Sequence, residues 1–168
     1  MSLTLILMRH AKSAWDNPAL DDFDRPLNSR GRASALAIGR WLNHCGHLPD
    51  EVVVSGARRT VETWSRMASE LPATATMRSD PALYHASPET MLGVLRQAIS
   101  PTTMMIGHNP GLADFAGRLA RAPYPHDRFG DFPTAATAVI SFDTSSWSEV
   151  GWASGDVTDF ATPRELDE

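Results

Sequence analysis

The apolar residues of this chain fall into short unbroken runs separated by stretches with a three-to-four residue repeat. Leu3-Thr4-Leu5-Ile6-Leu7-Met8, Glu51-Val52-Val53-Val54 and Thr102-Thr103-Met104-Met105-Ile106 each have the length and composition of a buried strand. Weaker strand signals lie over residues 75–77, 136–142 and 149–153. Between the runs the period changes. Asn28 or Ser29 caps a helix whose Ala35, Ile38, Leu42 and Cys45 share one face, and Gly46 stops it. Ser55 caps a second, with Ala57, Val61, Trp64, Ala68 and Leu71 in register, and Pro72 ends it. Pro88 at the first helical position after Ser87 opens a third, with Met91, Leu95 and Ala98 or Ile99 inward. Asn109-Pro110 opens a fourth, carrying Leu112, Phe115 or Ala116, and Leu119. Strands alternating with helices predict an α/β fold, a three-layer α/β/α sandwich on a mostly parallel central sheet. Residues 155–168 read as a peripheral acidic tail on one domain spanning 1–168.

Chemistry concentrates where strands end. The first run gives way to Arg9-His10-Ala11, the second to Ser55-Gly56-Ala57-Arg58-Arg59, and the third to Gly107-His108-Asn109-Pro110-Gly111. Open α/β sheets place their sites at that edge, and two histidines with several arginines suit a phosphoryl group. Elsewhere the residues read more plainly. Residues 12–26 form a polar loop in which Asp21, Asp22 and Asp24 are a solvated run. His44 and His47 sit at a helix end, where dipole contacts account for them. Trp15, Trp41 and Trp64 read as packing, with Trp15 near enough to Arg9-His10 to wall a pocket.

Composition narrows the class. The chain has 168 residues, 42% of them hydrophobic and 21% charged, as in a globular protein that buries a core unaided. Its single cysteine, Cys45, excludes an internal disulfide and reads as a buried structural thiol on a helical stripe. A net charge of −5 argues against a broad nucleic-acid surface, so positive potential is expected only in a pocket. No stretch reaches membrane-spanning length and residues 3–8 are too short for a secretory h-region, so a cytoplasmic location with no membrane partner is expected.

The three strand ends, taken in order, resemble the signature of the histidine phosphatase superfamily, the phosphoglycerate-mutase-like fold, in its small SixA-type branch. Arg9-His10-Ala11 stands where the superfamily has Arg-His-Gly, and Lys12-Ser13-Ala14-Trp15 is similar to its continuation. Arg25-Pro26-Leu27-Asn28 with Gly31, the pattern Ser55-x-x-x-Arg59-x-x-x-Thr63, and Gly107-His108-Asn109-Pro110 extend the resemblance over roughly residues 3–142. The resemblance implies a metal-independent phosphatase without a cofactor, in which His10 is the nucleophile and Arg9, Arg59 and His108 cradle the phosphoryl group. Arg59 takes this place over Arg58 because it keeps the four-residue steps from Ser55 and to Thr63.

Such chemistry needs His10 neutral, with flanking arginines disfavouring its protonation, and His108 able to donate once a phosphate dianion arrives. Two departures matter. Where larger members place a glutamate acid, this chain reads Leu83-Tyr84-His85, leaving His85 or Glu89 as candidate acids, or none. A phosphohistidine leaves as an easily protonated imidazole and tolerates that loss, whereas an alkoxide does not. Asp16 stands where the mutase branch has an asparagine near the substrate, and a carboxylate there would repel a phosphorylated acid. The resemblance therefore implies a phosphohistidine phosphatase acting on a phosphorylated substrate such as a phosphohistidine-bearing protein. The alternatives are a small-molecule phosphomonoesterase and a non-catalytic module that binds a phosphorylated ligand.

Overall fold

The computed structural model describes residues 2–166. Its sheet has six strands in the order β3-β2-β4-β1-β5-β6: β1 Leu3–Arg9, β2 Glu51–Val54, β3 Thr76–Ser79, β4 Thr102–Gly107, β5 Thr137–Phe142 and β6 Gly155–Ala161. The first four pair in parallel, while β5 and β6 run antiparallel to their neighbours. Alternate residues of β1 serve opposite faces. Leu5 and Leu7 pack with Phe115, Ala116 and Phe142, while Ile6 and Met8 pack with Ile38, Leu42 and Met67. Two apolar layers therefore flank the sheet, which is why its central strands read as unbroken runs.

α1 (Ser29–Cys45) and α2 (Arg58–Ala68) cover one face, and α3 (Pro88–Leu95) and α4 (Gly111–Leu119) cover the other. The expected caps hold at α1 and α3: the Asn28 side chain accepts from the Gly31 amide, Gly46 ends α1 at φ +76°, and the Ser87 side chain accepts from the Thr90 amide ahead of Pro88. β1 and β4 are neighbours whose following helices depart to opposite faces. That reversal opens a crevice beyond their C-terminal ends.

Four expectations change. The peripheral tail is an edge strand and a short helix: β6 pairs with β5 and buries Phe160 and Ala161, and α5 (Pro163–Leu166) lies against α1. Residues 149–153 are not a strand but the end of a 3-10 turn, Trp147–Glu149, and a loop, because Val150 and Trp147 are anchors in the core rather than alternating strand residues. Cys45 is exposed, since α1 turns that position outward beyond Leu42. Ser55 does not cap α2: Ala57 occupies that position and the Ser55 hydroxyl is used elsewhere.

Candidate active site

β1 and β4 are in register at Arg9 and Gly107, so His10 and His108 leave adjacent strands side by side, with ring centroids 5.2 Å apart. The His10 amide donates to the Gly107 carbonyl at 3.1 Å, fixing the two strand ends together. β2 ends beside them, its Ser55 amide donating to the Ile106 carbonyl. Arg59 reaches the same point from the first turn of α2 and is only 2% exposed. Thr63, one turn on, accepts the Ala11 amide at 3.0 Å and donates to the Arg59 carbonyl at 2.7 Å. The Ser55, Arg59, Thr63 spacing thus ties the loop after β1 to the helix that carries the guanidinium. Ala11, in place of glycine, is itself fully buried there.

Hydrogen bonds fix the tautomer of each histidine. His10 Nδ1 lies 2.7 Å from the Ala11 carbonyl, which can only accept, so Nδ1 carries the proton and Nε2 the lone pair. Arg59 Nη2, which can only donate, lies 3.3 Å from His108 Nδ1, so His108 Nε2–H donates to the Ser55 hydroxyl at 2.7 Å. Burial lowers both histidines to about 3, helped at His10 by the neighbouring arginines and at His108 by His10, Arg59 and His85. His10 is therefore neutral mainly because it is desolvated, and Arg59, Arg9 and Arg25 add to an effect expected from arginines alone.

Two guanidinium nitrogens stand out. Arg9 Nε and Arg59 Nε are buried donors with no partner among the described residues. Such donors are costly when left unpaired. The two arginines line a cavity of about 320 Å³ together with His10, His108, Lys12 and His85. A larger depression of about 720 Å³ lies outside α2 beside Phe23, Arg58 and Ser65, and Arg9, His10, Arg59 and His108 do not line it.

The polar loop supplies what sequence reading missed. Asp22 is half-buried and fully engaged: its Oδ2 accepts from Arg59 Nη2 at 3.0 Å, Tyr84 Oη at 2.6 Å and His85 Nε2 at 3.2 Å, and its Oδ1 accepts from Arg25. Burial acts to raise the Asp22 pKa, but the hydrogen bonds from Tyr84, Arg59 and His85 prevail and hold the carboxyl well below the usual range. Arg25 is 8% exposed, and its guanidinium lies 3.3 Å from the Trp15 ring centroid. Trp15 is 77% exposed and packs nothing in the core, but it lines the cavity as expected and carries that stack. Nothing in the sequence separates Asp22 from Asp16, Asp21 and Asp24, which lie in the same stretch between Arg9 and Arg25.

Of the two acid candidates, His85 is in the cavity and Glu89 is not. His85 sits at φ +52° with its ring 5.2 Å from that of His108. Its loop can lie this close to α4 only because position 111 is glycine: a Cβ there would come within 2.0 Å of the Ala86 carbonyl oxygen. Glu89 instead pairs with Arg118 at 2.7 Å, linking α3 to α4. Asp16 is exposed and does not line the cavity, so it does not face the site as expected.

The superfamily profile, Histidine phosphatase superfamily (branch 1), matches residues 5–100. The chain belongs to this family. An uncharacterized chloroplastic protein of Arabidopsis thaliana is 31% identical over 166 residues, 92% of this chain and 73% of that protein. A solved structure of a candidate phosphohistidine phosphatase SixA from Nakamurella multipartitia is 29% identical, with TM-score 0.78 over 97% of each chain. Another, of a candidate SixA from Agrobacterium tumefaciens, is 27% identical, with TM-score 0.77 over 96% of this chain and 98% of that one. The mostly parallel α/β sheet matches phosphoglycerate-mutase-like structures.

In this member of the histidine phosphatase superfamily, Cys45, His47 and Asp159 are the metal-ligand residue types that cluster among the described residues. They lie at the far end of α1, about 25 Å along the helix from Asn28 at 1.5 Å per residue. His47 Nε2 is already bonded to Asp159 at 2.9 Å. Among the described residues no helix is long and apolar enough to cross a membrane.

Proposed function

We propose that this chain is a protein phosphohistidine phosphatase whose nucleophile is His10. The observation that carries the reading is the unprotonated His10 Nε2 beside two buried guanidiniums whose Nε donors lack partners. Arg9 and Arg59 would bind the equatorial oxygens of a phosphoryl group. Nε2 attacks phosphorus, the phosphorus–nitrogen bond to the substrate imidazole breaks, and the leaving nitrogen keeps the electron pair and takes a proton from solvent. Water then attacks phospho-His10 and releases inorganic phosphate, regenerating the free imidazole. The incoming dianion favours proton uptake at His108 Nδ1, which turns that nitrogen from acceptor to donor and frees Arg59 Nη2 for the phosphate. Guanidinium and imidazolium charge supply the electrostatic stabilisation that a metal supplies elsewhere, so activity should withstand EDTA.

Asp22 is the carboxylate that lines the cavity among the described residues, and its lowered pKa keeps it ionised. An ionised carboxylate cannot protonate an alkoxide, and this favours a substrate that leaves as an imidazole. The SixA likeness of the Nakamurella and Agrobacterium structures supports the same substrate class. The test is a panel of a phosphohistidine-bearing domain, an aryl phosphate and alkyl phosphates, with EDTA present. Phosphohistidine and the aryl ester should turn over far faster than alkyl esters, and radiolabelled phosphate should be trapped on wild-type protein but not on His10→Ala.

A second reading, a phosphomonoesterase, draws on His85, which lies in the cavity with Nε2 3.2 Å from Asp22. In that case His85→Ala would slow alkyl esters selectively and spare phosphohistidine. Efficient alkyl ester turnover with phosphohistidine ignored would replace the first reading by the second.

A further inference from the structure

A second groove, of about 330 Å³, adjoins the phosphoryl cavity and shares Lys12 and Thr134 with it. Its rim carries four exposed cations from four separate segments: Lys12 after β1, Arg30 in α1, Arg128 before β5 and Arg164 in α5. This concentration sits on a chain whose net charge is −5. The nearby carboxylates offset it only at Arg128. Asp131 contacts Arg128 at 3.3 Å, and Glu165 is bound by His126 and Thr162. Lys12, Arg30 and Arg164 make no ion pair among the described residues.

Arg30 carries an independent indication. It lies in the first turn of α1, a 17-residue helix with no acidic residue in that turn. The macrodipole makes this end of a helix positive, so helix stability alone would select Asp or Glu here. An arginine at that place opposes local stability and adds its charge to the dipole's, as expected where an anion is to be attracted.

We propose that this strip docks the carboxylate-rich surface flanking the phosphohistidine of a protein substrate, seating that surface on Arg30, Arg128 and Arg164 while Lys12 bridges to the phosphoryl cavity. The proposal rests on the phosphohistidine reading above. Four exposed side chains from distant segments do not converge as the buried Arg9 and Arg59 do. They suit several separated carboxylates rather than one compact second phosphate. Charge of this kind acts mainly by steering encounter and so depends on salt.

The test uses the full chain with two substrates, a phosphohistidine-bearing domain acidic around its histidine and free phosphohistidine. Arg30→Glu/Arg164→Glu avoids the catalytic cavity, and the first change agrees with the helix dipole, so the fold should survive. At low salt the double variant should lose about tenfold or more in kcat/KM on the acidic domain and change less than about twofold on free phosphohistidine. The wild-type advantage on the domain should fade as salt rises, and Arg30→Gln/Arg164→Gln should show a smaller loss of the same kind. Equal effects on both substrates, or none on the domain, would overturn the groove while leaving the phosphatase reading intact. A loss confined to a small bisphosphorylated probe such as 2,3-bisphosphoglycerate would overturn it in favour of a second-phosphate site. If wild-type protein turns over neither phosphohistidine substrate, the underlying functional reading fails instead.

Discussion

Arg59 is held by Asp22 through two contacts, Nη2 to the carboxylate at 3.0 Å and Nη1 to the backbone carbonyl at 2.6 Å. A loop far from α2 in sequence thus aims the guanidinium that α2 supplies. The same carboxylate holds Arg25, Tyr84 and His85, so one anion organises four groups at a cavity built for another. Its two effects oppose each other: it aligns Arg59, and its charge repels an incoming phosphate.

Asp22→Asn should separate these effects. The backbone contact to Arg59 survives, but alignment weakens and kcat should fall on the order of tenfold or more, as when a charged partner is misplaced. Removing one like charge a few ångströms from the phosphate should tighten inhibition by inorganic phosphate or vanadate about tenfold. Steady-state kinetics with both inhibitors provide the check. Unchanged kcat together with weaker inhibition would show that Asp22 does neither.

Arg58 and Arg59 should differ sharply although they are adjacent. Arg59 is buried against His10 and His108, whereas Arg58 is exposed and borders the depression outside α2. Arg59→Ala should lower kcat on the order of a hundredfold, the usual scale for losing a partner of developing charge. Arg58→Ala should stay within about threefold on the same grounds. The reverse ranking would place the wrong guanidinium in the site.

The contrast between those arginines was legible in the sequence because Arg59, not Arg58, keeps the four-residue steps from Ser55 and to Thr63, and the second step is one turn of α2. Arg9, His10 and His108 were legible for a related reason: each follows a strand long and apolar enough to be recognised alone. Asp22 was not, because a loop has no period, and its partners Arg59, Tyr84 and His85 are 37, 62 and 63 residues away. β6 escaped notice because, as an edge strand, it is exposed at Asp156 and Thr158, and its composition resembles a polar tail. Glu89 had the right chemistry for an acid, but only the packing of α3 on α4 reveals that Arg118 claims it.

Stability should fall with acid well before the carboxylates titrate. His10 and His108 have folded pKa values of about 3, below the ordinary 6.5, so the unfolded chain binds their protons first. Their neutral burial is tolerated above about pH 6.5 and opposes folding progressively as pH drops toward 3. With two such groups the unfolding free energy should decline by up to about 2.7 kcal/mol per pH unit in the middle of that window. Urea titrations between pH 7 and 4.5 should show a shallower decline for His108→Gln, which cannot take up that proton. Parallel slopes for the two proteins would contradict neutral burial of His108.

Gly31 and Gly117 should respond oppositely to alanine. A Cβ at Gly31 would lie 2.0 Å from the Lys12 carbonyl oxygen, where the start of α1 rests on the loop that follows His10 and Ala11. That backbone cannot retreat freely, because the Lys12 carbonyl also accepts the Asn28 amide at 3.0 Å. Gly31→Ala should therefore cost about 1–3 kcal/mol or more as an overpacked contact. It should also displace the loop that sets the His10 ring, lowering kcat in whatever protein remains folded. Gly117, exposed inside α4, has nothing within 4 Å of its would-be Cβ. Gly117→Ala should stabilise by about 0.5–1 kcal/mol through reduced backbone entropy of the unfolded chain, with activity unchanged. Thermal melts and turnover measured on both variants test the pair. A neutral Gly31→Ala would show that the α1 start does not press on the loop behind the nucleophile.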